Sequence, residues 1–259
     1  MKEIREHRKV IFEKPSQLPG IDLHEESQMQ LIGTFAGNYY DDQPFREEPV
    51  PGLTYFFKNE AFCHSDAIML HCMLRHFRPR KLLEIGSGFS SCVTLDTNRL
   101  FLNNSIQCVF IDPYSNVLER LSGQGSGRLN IVAKRAQDVP LEIFGELNDG
   151  DVLFIDSSHV SKVGSDVNHI FFNILPALRP GVRIHFHDIF YPFEYPEEWI
   201  FNGRSWTEAY LLRAFLQFNT QFEIELFPNF LIHFHQEFFE QHMPLCLKDP
   251  GGSIWLRKK

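Results

Sequence analysis

The sequence predicts a doubly wound α/β domain, with a mostly parallel sheet and helices on both faces. Short apolar runs alternate with amphipathic helical patterns from residue 81 to residue 190, which is typical of parallel strands joined by helices. One run, Val152–Ile155, is apolar at every position, as in a strand buried on both faces. The glycines in "LLEIGSGFSS" stand where the first strand would turn into a helix.

The alternating part of the chain predicts the first strands of this sheet, which are Lys81–Ile85, Ile106–Ile111, Asn130–Ala133, Val152–Ile155 and Val182–Phe186. Helices are predicted between them, at about Ser90–Leu100, up to Leu121, at Leu141–Leu147 and at Val167–Leu178. The last is the best marked, because its apolar residues recur at helical spacing. After a helix that begins near Thr207, strands at Phe222–Leu226 and Ser253–Arg257 complete a seven-stranded, Rossmann-like sheet.

Residues 1–60 are predicted to form an irregular extension, with room for short helices, that packs on a main domain of residues 61–259. This segment has no sustained hydrophobic period and contains turn signals such as Pro19-Gly20. The main domain opens with "DAIMLHCMLRHF", which is apolar on most sides and predicts a buried helix. Later in the chain, His233 and His235 alternate with apolar residues, a period-two pattern that is typical of a strand.

Composition narrows the class of protein. The 259 residues carry a formal net charge of −8 and no dense run of Lys or Arg, so binding to nucleic acid is not expected. No apolar stretch approaches the length of a membrane span, and the charged N-terminal segment does not resemble a signal peptide. The five cysteines lack CxxC spacing, which indicates reduced thiols. These features predict a soluble cytoplasmic protein.

A glycine loop and two acidic residues predict a cofactor site. Gly86 and Gly88 would let backbone N–H groups approach a ligand at the start of a helix. Asp112 ends the second strand, where doubly wound folds place an acid that binds a ribose. The dinucleotide motif is incomplete, because Ser91 stands at the position of its third glycine. Glu84, just before the loop, would repel a phosphate and favours a positively charged ligand.

From about residue 60 to residue 259, the chain resembles class I S-adenosylmethionine-dependent methyltransferases. The resemblance rests on "EIGSG" from Glu84, on Asp112 and on "AKRAQDVP". The segments "GRSWTEAYLLRAFL" and "GGSIWLRK" resemble a bacterial subgroup related to catechol-type and macrolide-sugar O-methyltransferases. The resemblance implies S-adenosylmethionine as the cofactor, and a binding set of Glu84, Gly86, Ser87, Gly88, Ser90, Asp112, Gln137 and Asp156.

The same resemblance implies a Mg²⁺ site at the ends of the fourth and fifth strands. In those O-methyltransferases the acids at the two ends are metal ligands, and Asp156 and Asp188 stand there in this chain. The chain departs from the pattern beside the second acid, where Ile189 replaces an Asn and His187 replaces an acid. The alternative is that Asp156 binds the cofactor or caps a helix and that Asp188 stabilises a loop.

His159, three residues after Asp156, is predicted to be the general base. A hydroxyl becomes a good nucleophile when its proton is removed, and imidazole titrates near neutral pH, where general-base catalysis is most effective. The resemblance places a basic residue of the catechol enzymes at this position. The alternative is a loop residue that caps the next helix.

These features predict methyl transfer from S-adenosylmethionine to a hydroxyl of a small molecule, such as a sugar or another secondary metabolite. Arg204, Trp206 and Glu208, with the aromatic segment 191–199, are expected on the acceptor side. The alternatives are a Rossmann-type nucleotide-dependent oxidoreductase and a non-catalytic cofactor-binding module. The sequence leaves open whether the chain forms a homo-oligomer.

Overall fold

A computed structural model of the chain describes residues 2–122 and 129–259. Within these ranges the strands form a seven-stranded sheet, in the order β3-β2-β1-β4-β5-β7-β6. The strands are β1 (Lys81–Ile85), β2 (Gln107–Ile111), β3 (Ile131–Val132), β4 (Val152–Ile155), β5 (Arg183–His187), β6 (Phe222–Leu226) and β7 (Ser253–Lys258). The first five are parallel, whereas β7 runs antiparallel to both β5 and β6. The predicted fold class is confirmed.

The register of the central strands creates the edge at which the candidate site lies. Ile85 at the end of β1 pairs with Ile111 of β2 and with Ile155 of β4. Because these parallel strands end level with one another, the residues that follow them share one edge of the sheet. The four residues of β4 are all buried, as their continuous apolar character predicted.

Helices connect the strands and cover the sheet. Their bounds in the described residues are Lys2–Glu6, Arg8–Ile11, Glu25–Asn38, His64–Phe77, Phe89–Phe101, Asn116–Ser122, Leu141–Gly145, Asp166–His169, Leu175–Ala177, Glu197–Phe201, Glu208–Leu216, Pro228–Phe234 and Gln236–His242. The predicted helix before the 179–181 turn is present, and a π turn at Ile170–Ile174 joins its two α-helical parts. The oxygen of Ser165 caps its start by accepting from the backbone N–H of Asn168.

The N-terminal segment contains the 14-residue helix Glu25–Asn38, which is longer than the short helices expected there. The side chain of Gln28 in this helix accepts a hydrogen bond of 2.6 Å from the backbone N–H of Phe227. Farther along, the backbone N–H groups of Thr54 and Tyr55 donate to the buried carboxylate of Asp96. These bonds hold the segment against the helices and strands that follow it.

The strand predicted around His233 and His235 is wrong. Residues Pro228–Phe234 form a helix with proline in its first turn, and the buried residues Phe230 and Leu231 lie on its inner side. Proline at the first helical position is favourable because its missing N–H is not needed there. In the part of the chain that the structure describes, no helix is both long enough and apolar enough to span a bilayer.

Candidate active site

The glycine loop after β1 is shaped by one close contact and one open position. Gly86 has a φ of +87°, and a Cβ on it would lie 2.4 Å from the backbone oxygen of Asp156. Only glycine therefore allows β1 to turn this close to the end of β4. A Cβ on Gly88 would meet no atom within 4 Å, although the helix Phe89–Phe101 begins at the next residue. The loop leaves free space directly above the start of this helix.

Glu84 is a fully buried acid beneath this loop. Its Oε1 accepts a hydrogen bond of 2.5 Å from Ser90 Oγ, while its Oε2 has no hydrogen-bond partner among the described residues. Burial raises the pKa of the Glu84 carboxyl to about 8, against the opposing effects of the Ser90 and Ser91 hydroxyls. A buried acceptor without a partner is costly, so this oxygen is suited to a donor that a ligand supplies.

Asp112 lies at the end of β2, beside the same loop. Its Oδ2 accepts a hydrogen bond of 2.6 Å from Ser87 Oγ, and its Oδ1 accepts one of 2.7 Å from the backbone N–H of Tyr114. Each carboxylate oxygen has a second lone pair, so both can still accept from a ligand hydroxyl. The predicted pairing of loop and acid is therefore present in the geometry.

Gln137 is held by a different part of the structure. It lies in the short 3₁₀ turn Ala136–Asp138 after β3, and its Nε2 donates a hydrogen bond of 3.0 Å to the backbone oxygen of Gly164. Gly164 belongs to the loop after β4, so the contacts of Gln137 link it to that loop and not to the glycine loop. Its predicted role in the cofactor-binding set stays a prediction.

His159 is the centre of a cluster of carboxylates beyond the ends of β4 and β5. Its Nδ1 lies 2.9 Å from Glu208 Oε2. Its Nε2 lies 3.3 Å from Asp156 Oδ1 and 3.5 Å from Asp188 Oδ2. Ser157 Oγ lies 2.9 Å from each oxygen of Glu208. Side chains from three separate segments thus surround one imidazole ring.

The backbone holds this cluster in an uncommon conformation. His159 and Asp188 both have positive φ angles, of 58° and 56°. The backbone oxygen of His159 accepts hydrogen bonds from the N–H groups of Thr207 and Glu208, where the helix Glu208–Leu216 begins. Left-handed conformations of residues other than glycine are uncommon and concentrate at functional sites. No pattern in the sequence indicates this backbone conformation.

The hydrogen bonds decide the protonation state of His159. The residue is only 5% exposed, and burial by itself lowers the pKa of an imidazole. The hydrogen bonds to Asp156 and Glu208, with their negative charges, outweigh that burial and raise the pKa of His159 to about 10. At neutral pH the ring therefore carries two N–H groups. This geometry opposes the role of neutral base that was predicted for His159.

The arrangement does not fit a magnesium ion between Asp156 and Asp188. The Nε2 of His159 contacts a carboxylate oxygen of each, so an imidazolium lies between the two predicted ligands. Of the neighbouring residues, Ile189 is buried and has no ligand atom, and the Nε2 of His187 faces a backbone carbonyl. Across residues 2–122 and 129–259, no group of three or more His, Cys, Asp or Glu side chains is placed to hold a metal ion. Magnesium stays a prediction, and no step is derived from it.

Comparisons with known proteins agree with this geometry. A family model described as a methyltransferase domain matches residues 83–189, from β1 to the end of β5. An uncharacterized protein of Archaeoglobus fulgidus is 31% identical over 153 residues, which are 58% of this chain and 69% of that protein. The chain belongs to the class I S-adenosylmethionine-dependent methyltransferases. This membership sets aside the oxidoreductase alternative.

The methyltransferase is also similar to solved structures. One is the O-methyltransferase from Bacillus cereus in complex with SAH, at 14% identity and a TM-score of 0.42, covering 86% of this chain and 89% of that chain. Another is SAH-bound PaMTH1 from Podospora anserina, at 12% identity and a TM-score of 0.46, covering 100% of this chain and 94% of that chain.

The residues of the methyltransferase fit its cofactor. The amino group of S-adenosylmethionine is a cation, and the unpartnered Oε2 of Glu84 is a buried acceptor suited to it. The space above Gly88 allows a ligand to approach the backbone closely. Ser87 contacts Asp112 and Ser90 contacts Glu84, while Asp156 lies against both Gly86 and His159, so the predicted cofactor residues adjoin the His159 cluster.

Two further buried groups adjoin the cluster, and one of them, Asp66, was missed by the sequence reasoning. His187, on β5, lies 3.7 Å from Asp188 Oδ1 and 3.3 Å from the backbone oxygen of Ala61. Asp66 is 3% exposed, and its Oδ2 accepts a hydrogen bond of 3.1 Å from the backbone N–H of Gly252. The available signal was an acid in the first turn of an otherwise apolar helix. These contacts bring the start of the main domain into the wall of the site.

Proposed function

We propose that this methyltransferase transfers the methyl group to a hydroxyl of a small molecule. The observation that carries the proposal is the cluster in which Asp156 and Asp188 share the Nε2 of His159, beside the cofactor loop. A hydroxyl reacts efficiently when a positioned group takes up its proton. Two carboxylates fixed by one imidazolium supply such a group at the edge where the methyl donor is expected.

Within this proposal, Asp188 takes up the proton. Burial raises the pKa of the Asp188 carboxyl, against the opposing charges of His187 and His159, so it is a stronger base than an exposed carboxylate. Asp156, by contrast, has a lowered pKa, because the hydrogen bond from His159 and the charges of His159 and His187 outweigh its burial. His159 then positions both carboxylates and is not itself the base.

The cofactor, when bound, supplies a methyl group already activated by a sulfonium. The protein therefore needs to align the acceptor oxygen and remove its proton. Glu84 and Asp112 are the residues that would fix the donor in the cofactor half of the crevice. Glu208, which is 1% exposed, holds His159 from the opposite side through Nδ1. Glu84, Asp112 and Glu208 each have one role in this proposal, and none of these roles requires a metal ion.

Aromatic residues close the acceptor side of the cluster. The ring of Trp206 lies 4.2 Å from the ring of His159, between centroids, and the ring of Tyr195 lies 5.9 Å from that of Trp206. Such rings exclude water from the cluster, and exclusion of water strengthens electrostatic interactions. They also offer an apolar face to a ring-shaped acceptor, such as a sugar or an aromatic compound.

The test is a transfer assay with purified protein and methyl-labelled S-adenosylmethionine. A panel of hydroxylated sugars and phenols serves as acceptors, and the methylated position is identified by NMR spectroscopy. Label on an acceptor oxygen is the expected result, and Asp188→Asn should abolish most of it. Label found only on nitrogen, carbon or sulfur would contradict the proposal. Cofactor binding without transfer to any acceptor of any class would favour the non-catalytic module.

A further inference from the structure

Arg204 stacks in the corner formed by two tryptophan rings on the acceptor side. Its guanidinium carbon lies 3.9 Å from the ring centroid of Trp199 and 4.9 Å from that of Trp206. The backbone N–H of Arg204 donates a hydrogen bond of 3.0 Å to Trp199 O and closes the turn between them. The centroids of the two rings are 5.3 Å apart and the rings are inclined at 82° to each other, so they form a corner beside the guanidinium and its N–H edge remains for hydrogen bonding.

No acid satisfies that edge within the described residues, since no carboxylate oxygen lies within 4.0 Å of Arg204. Acids of the surrounding segment are bound elsewhere. Glu197 pairs with Arg8 at 2.7 Å, and Glu194 accepts a hydrogen bond from the Tyr210 hydroxyl. The Arg204 side chain is exposed to solvent. A guanidinium that stacks on aromatic rings and has no acid partner is suited to bind an oxyanion.

The same tryptophan connects Arg204 to the catalytic cluster. Trp206 contacts Arg204 on one side and lies 4.2 Å from the ring of His159 on another. A single indole ring, that of Trp206, therefore lies next to both the Arg204 guanidinium and the His159 imidazole. Its positive charge reaches Asp188, where it acts against the effect of burial on the pKa of that carboxyl. An anion at Arg204 and a hydroxyl at Asp188 would thus belong to one small molecule.

We infer that Arg204, supported by Trp199 and Trp206, binds an oxyanion of the acceptor whose hydroxyl is methylated. This inference rests on the proposed transfer to a hydroxyl and names its substrate class. The acceptor is a small hydroxylated compound that carries a carboxylate or a phosphate. Arginine matches both groups because its planar fork donates two parallel hydrogen bonds.

The inference can be tested by anion binding, measured without turnover. The chain has three tryptophans, of which Trp255 is fully buried in β7, so fluorescence changes on anion binding would report on Trp199 and Trp206. Benzoate and inorganic phosphate are titrated into the full-length protein saturated with S-adenosylhomocysteine, with neutral benzamide for comparison. A saturable change is expected with at least one anion and not with benzamide. Arg204→Gln should weaken that binding roughly 10–100-fold.

Two further variants control the experiment. Arg204→Lys keeps the charge but loses the planar fork, so it should bind the anion more weakly than the wild type and more tightly than Arg204→Gln. Arg5→Gln removes another arginine stacked on an aromatic ring of the same region, with its Cζ 5.3 Å from the Phe201 centroid, and should leave anion binding unchanged. Unchanged affinity for S-adenosylhomocysteine shows that each variant is folded.

The outcomes separate this inference from the proposed function. Equal anion affinity in the wild type and Arg204→Gln, or no anion binding by the wild type, overturns the subsite whatever the transfer assay shows. Tighter binding of phosphate than of benzoate assigns a phosphate ester, and the reverse assigns a carboxylate. Because no transfer occurs in this experiment, a failure to methylate oxygen leaves its result intact.

Discussion

The two halves of the crevice are built in different ways. The cofactor half consists of one loop, residues 84–90, and one acid, Asp112, at the end of the adjacent strand. The acceptor half collects Asp156 and His159 from the loop after β4, Asp188 from the end of β5, and Glu208 from a helix 20 residues later. The first is a local feature of the chain, whereas the second exists only in the folded protein.

This difference has a consequence for charge. Glu84 is buried with one oxygen that has no hydrogen-bond partner among the described residues, and the pKa of its carboxyl is raised. The cofactor half is therefore suited to a ligand that brings a positive charge. In the acceptor half the cation is already present, since His159 is protonated and bound by carboxylates on both ring nitrogens. Substitutions in the two halves should therefore affect different steps, binding in one and turnover in the other.

The largest effect is expected in the acceptor half. His159→Ala and Asp188→Asn should each lower turnover about 10²–10⁴-fold, because the first loses the positioning group and the second the base. The affinity for S-adenosylhomocysteine, measured by calorimetry, should remain close to that of the wild type. Asp22→Asn, at an exposed carboxylate, serves as the control. A large loss of cofactor affinity in either variant would remove the distinction between the halves.

The pH dependence of turnover distinguishes the two roles open to His159. Its pKa is raised to about 10, so the ring keeps its proton below that pH. If the imidazolium positions the carboxylates, turnover should be level between pH 7 and 9 and fall above about pH 10. If the neutral ring is the base, turnover should instead rise with pH up to about 10. Initial rates of the wild type across this range decide between them.

In the cofactor half, Asp112→Ala should weaken cofactor binding by about 2–4 kcal/mol, because two hydrogen bonds to the carboxylate are lost. Turnover at saturating cofactor should change much less. Ser87→Ala is the matched variant, since it removes only the hydroxyl that donates to Asp112. Wild-type affinity in Asp112→Ala would show that this acid does not bind the ribose.

A smaller effect is expected from Glu84, whose carboxyl has a pKa of about 8 and is mostly protonated at pH 7 in the free protein. A cationic ammonium favours the ionised form, although the negative charges of Asp156 and Asp112 oppose it. Cofactor binding at pH 7 should therefore release most of one proton, measured by calorimetry in buffers of different ionisation enthalpy. The Glu84→Gln variant should not release this proton, and it should bind the cofactor about tenfold more weakly. Glu48→Gln, at an exposed acid, should change neither.

The smallest effect is expected from metal removal. Because His159 occupies the space between Asp156 and Asp188, turnover should be unchanged by excess EDTA and by added Mg²⁺. Loss of activity in EDTA with recovery in Mg²⁺ would restore the magnesium prediction. It would also require His159 to leave the cluster, which crystallography with the metal would reveal.

Much of the fold could be predicted from the sequence, because its signals are local. The alternating strands and helices from Lys81 to His187 follow from hydrophobic period and turn residues, and their boundaries moved by only a few positions. The errors came where a pattern was short. His233 and His235 were placed in a strand although the segment is a helix, since two alternations do not distinguish the two periods.

The sequence by itself determined the doubly wound sheet, the glycine loop with Glu84 and Asp112, and the presence of Asp156, His159 and Asp188 at the strand ends. Each of these depends on residues near one another in the chain. Only the tertiary structure decided that His159 lies between the two aspartates, with Glu208 on its other nitrogen. The physical reason is that charge and protonation depend on distances of a few ångströms between segments that the sequence keeps far apart.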